Sequence, residues 1–256
     1  MKVRKALITA AGMGTRLRPA TEIIPKVLLP LINTPVLQLV IEEALQAGME
    51  KVAVIVSPDS KLIYDYFSKL KGPWTGVLEF IVQPEPKGLG HAIYCGREWV
   101  GNEPFCVLFG DSVFLETNPT QILARQYERY GESLLAVQPV PPDDIPRRGI
   151  MDVTESPDGR KILRGMVEKP RVEDAPSNLG FVARALFNPS LFDELAKVAP
   201  DKKGEIQLTD GVRTLCLKEP VEACIISEER LDIGNPHSYS HAVSRYYEHH
   251  FRQTQS

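Results

Sequence analysis

From Lys5 to Val137 the chain alternates short apolar runs with amphipathic stretches, and that alternation admits few folds. Lys5 to Ala10, Val52 to Val56, Leu78 to Val82, Phe105 to Phe109 and Leu134 to Val137 read as strands buried on both faces. Between the first two, Val36 to Ala47 sets Leu37, Val40, Ile41, Ala44 and Leu45 on one helical stripe. Pro35 suits the first position of that helix and Gly48 its C-terminal cap. Lys61 to Leu70, His91 to Val100 and Pro119 to Tyr130 repeat the pattern. Strand and helix in turn specify an α/β fold with a Rossmann-like, mainly parallel mixed sheet flanked by helices.

The second half changes character. Pro139-Val140-Pro141-Pro142-Asp143-Asp144 reads as a surface loop. After it, Ile150 to Val153 and Ile162 to Glu168 flank Pro157-Asp158-Gly159, which predicts a hairpin. Asn178 to Ala185 and Val221 to Ile226 are further strands, and Leu191 to Val198, Leu208 to Leu217 and Pro236 to Phe251 read as helices. We expect one domain over residues 1–256, with a first half to about residue 140 and a smaller α+β half from 141. The polar Gln253-Thr254-Gln255-Ser256 is expected to fray.

Composition narrows the chemistry. At 256 residues the chain can bury a sizeable core unaided. The four cysteines, Cys95, Cys106, Cys216 and Cys224, form no C-x-x-C pair and stand mostly in apolar runs, as buried thiols of a reducing compartment do. The basic start Met1-Lys2-Val3-Arg4-Lys5 leads into too short an apolar run for a signal peptide, so a cytoplasmic address is expected. No apolar window is long enough for a membrane span, and a net charge of −3 argues against a surface for nucleic-acid polymers.

A glycine-rich loop follows the first strand: Ala11-Gly12-Met13-Gly14-Thr15-Arg16-Leu17-Arg18-Pro19, then Pro25-Lys26. Glycines there let backbone N–H groups approach phosphate oxygens at the carboxyl end of the sheet. Leu17 stands where a dinucleotide fingerprint needs its third glycine, and no Gly-Lys-Ser/Thr of a P-loop is present. Instead the loop carries cations, Arg16 for bidentate contact and Lys26 as a point charge. A tight turn with solvated basic residues is the plainer reading of the loop alone.

Gly12-Met13-Gly14-Thr15-Arg16, Pro19-Ala20-Thr21, Ile24-Pro25-Lys26 and Leu29-Pro30-Leu31 resemble the signature of the sugar-1-phosphate nucleotidyltransferases, in their bacterial-type UTP–glucose-1-phosphate uridylyltransferase branch. Gly88-Leu89-Gly90-His91-Ala92, Glu168-Lys169-Pro170, Pro176-Ser177-Asn178-Leu179 and Gly204-Glu205-Ile206-Gln207-Leu208-Thr209-Asp210 are similar to that family's later blocks, in the same order. The resemblance implies the nucleotide-diphospho-sugar transferase fold, with a nucleotide-binding first half and a sugar-binding second half. It also implies a nucleoside triphosphate and a sugar 1-phosphate as substrates, Mg2+ as cofactor, and nucleoside diphosphate sugar with pyrophosphate as products. A homo-oligomer stays open.

Carried onto this chain, the resemblance assigns Ala11, Gly12, Gly14, Thr15, Arg16, Lys26, Gln83 and Gly88 to the nucleotide, the last two as contacts to the base edge. Asp111 and Asp232 are implied metal ligands, and Gly149, Glu168, Lys169, Asn178 and Gly180 the sugar-phosphate contacts. Arg16, Lys26, Asp111 and Lys169 form the implied catalytic set. Read singly, these residues are blander: Gln83 a strand-end surface residue, each aspartate a turn-former, Glu168-Lys169 an exposed pair. Arg148, before Gly149, stands where relatives commonly carry tyrosine. Glu205, Gln207 and Asp210 read as scaffold, and His237-x-x-x-His241 lacks the glutamate of a zinc protease motif. Three other readings stay open at this stage: a thymidylyltransferase using dTTP, a catalytically silent nucleotide-sugar sensor, and an NAD-dependent oxidoreductase.

Overall fold

The computed structural model describes residues 2–251; the expected fraying of residues 253–256 lies outside them. The first half runs β1 (Lys5–Thr9), a short ribbon of β2 (Pro30–Leu31) and β3 (Thr34–Pro35), α1 (Val36–Gln46), β4 (Lys51–Val56), α2 (Lys61–Lys69) and β5 (Leu78–Val82). It continues with α3 (Gly88–Tyr94), α4 (Arg97–Val100), β6 (Phe105–Phe109), β7 (Ser112–Val113), α5 (Pro119–Tyr130) and β8 (Ser133–Pro139). Then follow β9 (Gly149–Glu155), β10 (Lys161–Glu168), β11 (Leu179–Phe187), α6 (Ser190–Leu195), α7 (Leu208–Leu215), β12 (Val221–Ile225), β13 (Leu231–Asp232) and α8 (Pro236–His250).

Nine strands form one sheet in the order β5-β4-β1-β6-β11-β8-β12-β10-β9. The β5-β4-β1-β6 side is parallel throughout, as helical crossovers require. From β6 onward the pairings are antiparallel except for β8 with β12. Strand alternation divides the core: Ala6 and Ile8 of β1, with Val52, Val54 and Val56 of β4, join the cluster under α1, α5 and α8. Leu7, Ala53 and Ile55 enter a second cluster with Phe105, Phe187 and Phe192 on the opposite face. Burial on both faces is why these strands read as continuous apolar runs.

Three expectations are corrected. Pro35 is the N-cap of α1 rather than its first residue, while Gly48 follows the helix at φ +89, the left-handed stop glycine supplies. The helix expected over His91–Val100 starts earlier and splits in two at Cys95 and Gly96, where a Cβ on Gly96 would lie 2.5 Å from the Leu7 side chain. The Pro-rich stretch is no plain surface loop: Val140 is buried and Pro142–Arg147 forms a 3-10 turn whose Ile145 packs on Val140 and Ile150. Of the cysteines only Cys106 is fully buried, and all four are free. No helix among the described residues is long and apolar enough to cross a membrane.

Candidate active site

The site begins where β1 ends. Ala10 N still donates to the Ile55 carbonyl at 2.8 Å, and the chain then leaves the sheet through the glycine loop. Gly14 adopts φ +64, and a Cβ there would press on Lys26 Cβ at 3.0 Å and Thr21 at 3.1 Å. The Thr21 hydroxyl donates to the Gly14 carbonyl at 2.8 Å. The loop is thus folded back on the segment that carries Lys26, while a 3-10 turn over Thr15–Leu17 leaves Arg16 exposed beside it.

Two cavities share one wall. The smaller, about 330 Å³, is lined by Ala11, Gly12, Gln83, Gly88 and Glu205 among others. The larger, about 1100 Å³, takes in Gly14, Thr15, Arg16, Arg148, Lys169, Arg230 and Asp232. Lys26, Phe109 and Asp111 line both. The residues expected to hold the nucleotide are thereby brought together at the carboxyl ends of β1, β5 and β6, the edge at which open α/β sheets bind ligands.

Asp111 and Asp232, far apart in the chain, meet through a two-residue antiparallel ribbon. Asp232 of β13 pairs with Ser112 of β7, and Ile233 N donates to the Asp111 carbonyl at 3.1 Å. Gly110 permits the turn before Asp111, since a Cβ there would sit 2.9 Å from the Thr9 carbonyl. Lys26 Nζ is bonded to Asp111 Oδ2, and the Ser112 hydroxyl donates to Oδ1 at 3.3 Å. Burial alone would raise the Asp111 carboxyl, but the ammonium of Lys26, with Arg230 and Ser112, outweighs it and holds the group below the ordinary aspartate value. Asp232 accepts from Arg230 Nη2 at 2.6 Å and from Gly234 N at 2.9 Å. Beyond it, Asn235 and Ser238 close a capping box that starts α8.

Arg230 escaped the sequence reading. The signal available was its spacing: two residues before Asp232 in an extended segment, it projects to the same side. Glu228 was missed as well. Its carboxylate accepts from Leu115 N, from Glu116 N at 2.7 Å and from Thr117 N and Oγ1 at 2.6 Å each, tying the chain after β7 to the chain before β13.

On the sugar side only Lys169 reaches the cavity wall. It adopts φ +47, its N–H donates to the Arg148 carbonyl at 2.9 Å and its ammonium reaches Glu168 Oε1 at 2.5 Å. Gly149, Glu168, Asn178 and Gly180 line neither cavity. Gly149 leaves room for Met166, and a Cβ there would lie 3.6 Å from Glu168 Oε2. Gly180 lets the Arg148 stem pass, since a Cβ would approach Arg148 Cδ to 3.1 Å. Asn178 is exposed and its carbonyl accepts from Val140 N at 2.8 Å. Arg148 itself lines the larger cavity; Nη2 reaches Asp144 at 3.2 Å, and its buried Nη1 has no partner among the described residues.

Of the residues set aside as scaffold, Glu205 lines the smaller cavity. Ile206 N donates to the Lys87 carbonyl and Gly90 N to the Ile206 carbonyl, both at 2.8 Å, which presses Glu205 into the smaller cavity. His237 and His241 line the larger one, but His241 Nε2 is 2.8 Å from Glu229. Among the described residues no group of three or more His, Cys, Asp or Glu side chains could hold a metal. Asp111 and Asp232 are hard oxygen donors on one wall, a set that fits Mg2+ when phosphate oxygens and water fill its remaining positions.

Comparison with known proteins gives the family. Residues 5–249 match the family model described as nucleotidyl transferase. A UTP–glucose-1-phosphate uridylyltransferase of Bacillus subtilis is 39% identical over 255 residues, covering 91% of this chain and 87% of that protein. One from Streptococcus pneumoniae is 38% identical, covering 91% and 87%. Among solved structures, a UDP-glucose pyrophosphorylase complexed with UDP-glucose superposes with a TM-score of 0.88 at 32% identity, covering 96% of this chain and 99% of that one. A UTP-bound UGPase from Acinetobacter baumannii gives 0.87 at 29% identity, covering 98% and 95%. With the match running from the first strand of the sheet almost to the end of α8, the chain belongs to the nucleotidyl transferase family.

Proposed function

We propose that the chain is a UTP–glucose-1-phosphate uridylyltransferase, converting UTP and glucose 1-phosphate to UDP-glucose and pyrophosphate. The observation that carries this reading is the shared wall: a pocket with a hydrogen-bonding carboxamide opens, across Lys26 and Asp111, into a larger cavity rich in cations. A pyrimidine in the first and phosphates with a hexose in the second would put the α-phosphorus beside that wall.

No enzyme nucleophile is needed. A phosphate monoester with its second pKa near 6 is largely dianionic at neutral pH, so its own oxygen can attack. This chain's residues align and stabilise charge. Lys169, fixed through its backbone to Arg148, holds the attacking phosphate. Lys26 and Arg16 face the charge that develops on departing pyrophosphate. Asp111 and Asp232 would hold Mg2+, which when bound neutralises charge on the triphosphate. Glu168 keeps the Lys169 ammonium in place from behind. The free, mostly shielded cysteines support a reducing, cytoplasmic setting.

The test offers UTP, dTTP, CTP and ATP with glucose 1-phosphate and other sugar 1-phosphates to the purified chain, measuring pyrophosphate release. UTP with glucose 1-phosphate should give the highest kcat/KM. Faster turnover with dTTP, or no pyrophosphate with any pair, would reject the reading.

A further inference from the structure

Gln83 is buried at the end of β5, and its carboxamide orientation follows from its neighbours. Nε2 lies 3.1 Å from the Gly88 carbonyl and 3.1 Å from His91 Nδ1. A carbonyl only accepts, so the amide nitrogen, not the oxygen, must face Gly88. His91 Nδ1 must then accept the second amide proton, which leaves the ring proton on Nε2, 4.0 Å from Cys95 Sγ. Burial and the nearby Lys87 ammonium lower the His91 pKa against both the charge and the backbone carbonyl of Glu85, and so favour the neutral ring.

Both amide protons of Gln83 are thereby committed inside the protein, and Oε1 accepts from no group among the described residues. The side chain lines the smaller cavity. The Gly88 N–H, in the first turn of α3, has no acceptor among the described residues and lies at the same wall. The pocket therefore presents one acceptor and one donor.

We propose that His91 is a positioning residue that locks the Gln83 carboxamide with its oxygen toward the base, so that the pocket selects a pyrimidine with a protonated ring nitrogen and rejects cytosine. Uracil and thymine offer N3–H to Oε1 and a carbonyl to the Gly88 amide; cytosine sets an unprotonated N3 against Oε1. Without the lock, the carboxamide loses one of the two bonds that hold its orientation. The inference rests on the uridylyl reading only for the identity of the triphosphate, and its test is chosen to separate the two.

The test compares the wild type with His91→Leu, which removes the acceptor, and His91→Asn, which returns a carbonyl oxygen near the Nδ1 position. Each is titrated with UTP and CTP by calorimetry and assayed for KM and kcat. His91→Leu should lower the UTP-to-CTP preference about fivefold to tenfold, the effect of one hydrogen bond, through binding and KM rather than kcat. His91→Asn should restore most of it. A preference unchanged within twofold in a folded His91→Leu protein would overturn the proposal. The 15N shifts of the wild-type imidazole give a readout that needs no variant: a proton on Nδ1 at pH 8 would also overturn it. Lack of turnover with UTP would instead reject the uridylyl reading, leaving calorimetry and the tautomer to judge the lock.

Discussion

Arg184 is fully buried in β11 and grips Glu43 of α1 with two prongs, Nε to Oε1 at 2.8 Å and Nη2 to Oε2 at 2.6 Å. The same guanidinium donates to the Ser112 carbonyl at 2.7 Å and to the Ala183 carbonyl at 2.9 Å, with Phe109 more distant at 3.4 Å. It therefore braces, from inside the core, the turn on which Asp111 stands.

Arg184→Met should leave the largely shielded Glu43 carboxylate with Thr120 as its one hydrogen-bond partner among the described residues. Breaking such a pair costs about 3–5 kcal/mol, a Tm drop of roughly 6–20 °C at this size. Pairing it with Glu43→Leu should recover much of the loss. Thermal unfolding of both variants checks this, and a single variant within 1 °C of wild type would contradict it.

Arg16 is exposed and bonds to no other side chain among the described residues, so its replacement should spare the fold. Arg16→Ala is expected to depress kcat by about 10²–10³-fold if the guanidinium meets charge on departing pyrophosphate, with Tm unchanged. Unaltered kcat would remove Arg16 from the catalytic set.

Stripping divalent ions with EDTA should lower pyrophosphate release by at least about 10²-fold, and Mg2+ should restore it. Asp232→Asn should raise the Mg2+ needed for half-maximal rate by about 10–100-fold. A rate indifferent to EDTA would argue against the pair of aspartates as ligands.

Burial raises every thiol: Cys216 and Cys224 to about 11, Cys95 more modestly and Cys106 further. A raised acid stays protonated, so at pH 8 the thiolate fraction of Cys216 or Cys224 should be about 100-fold below that of the same thiol unfolded. Alkylation rates in buffer and in urea measure this directly. By linkage, the thiols' contribution to stability is complete below the unfolded value near 9 and is lost as pH rises toward 11.

The longer strands of the parallel half were legible because each is an apolar run bounded by turn residues, and Leu78–Val82 and Phe105–Phe109 fall where those runs put them. The need for glycine at 96 was not, because the Leu7 side chain that leaves no room for a Cβ there comes from a distant strand. In the same way Gln83, taken singly, reads as a strand-end surface residue, yet it is buried and bonded to the Gly88 carbonyl and His91. The glycine loop and Lys26 were legible in the residues themselves, the two aspartates as a metal pair only through resemblance, and the ladder that joins them is invisible to spacing. Arg184 and Arg230 look in sequence like any surface arginine; only their partners, Glu43 of α1 and the carbonyls of the β6–β7 turn for the first and Asp232 for the second, give them their work.

The two-residue ribbon of β7 and β13 has a consequence for synthesis on the ribosome. A nascent chain that has emerged through β12 owns every strand of the nine-stranded sheet and the whole glycine loop, yet only one of the two acidic tips. Translation that stalls there leaves a product without the second carboxylate and without the core side chains of Leu231, Ile233, Ala242 and Tyr246, so chemistry waits on the segment from β13 through α8.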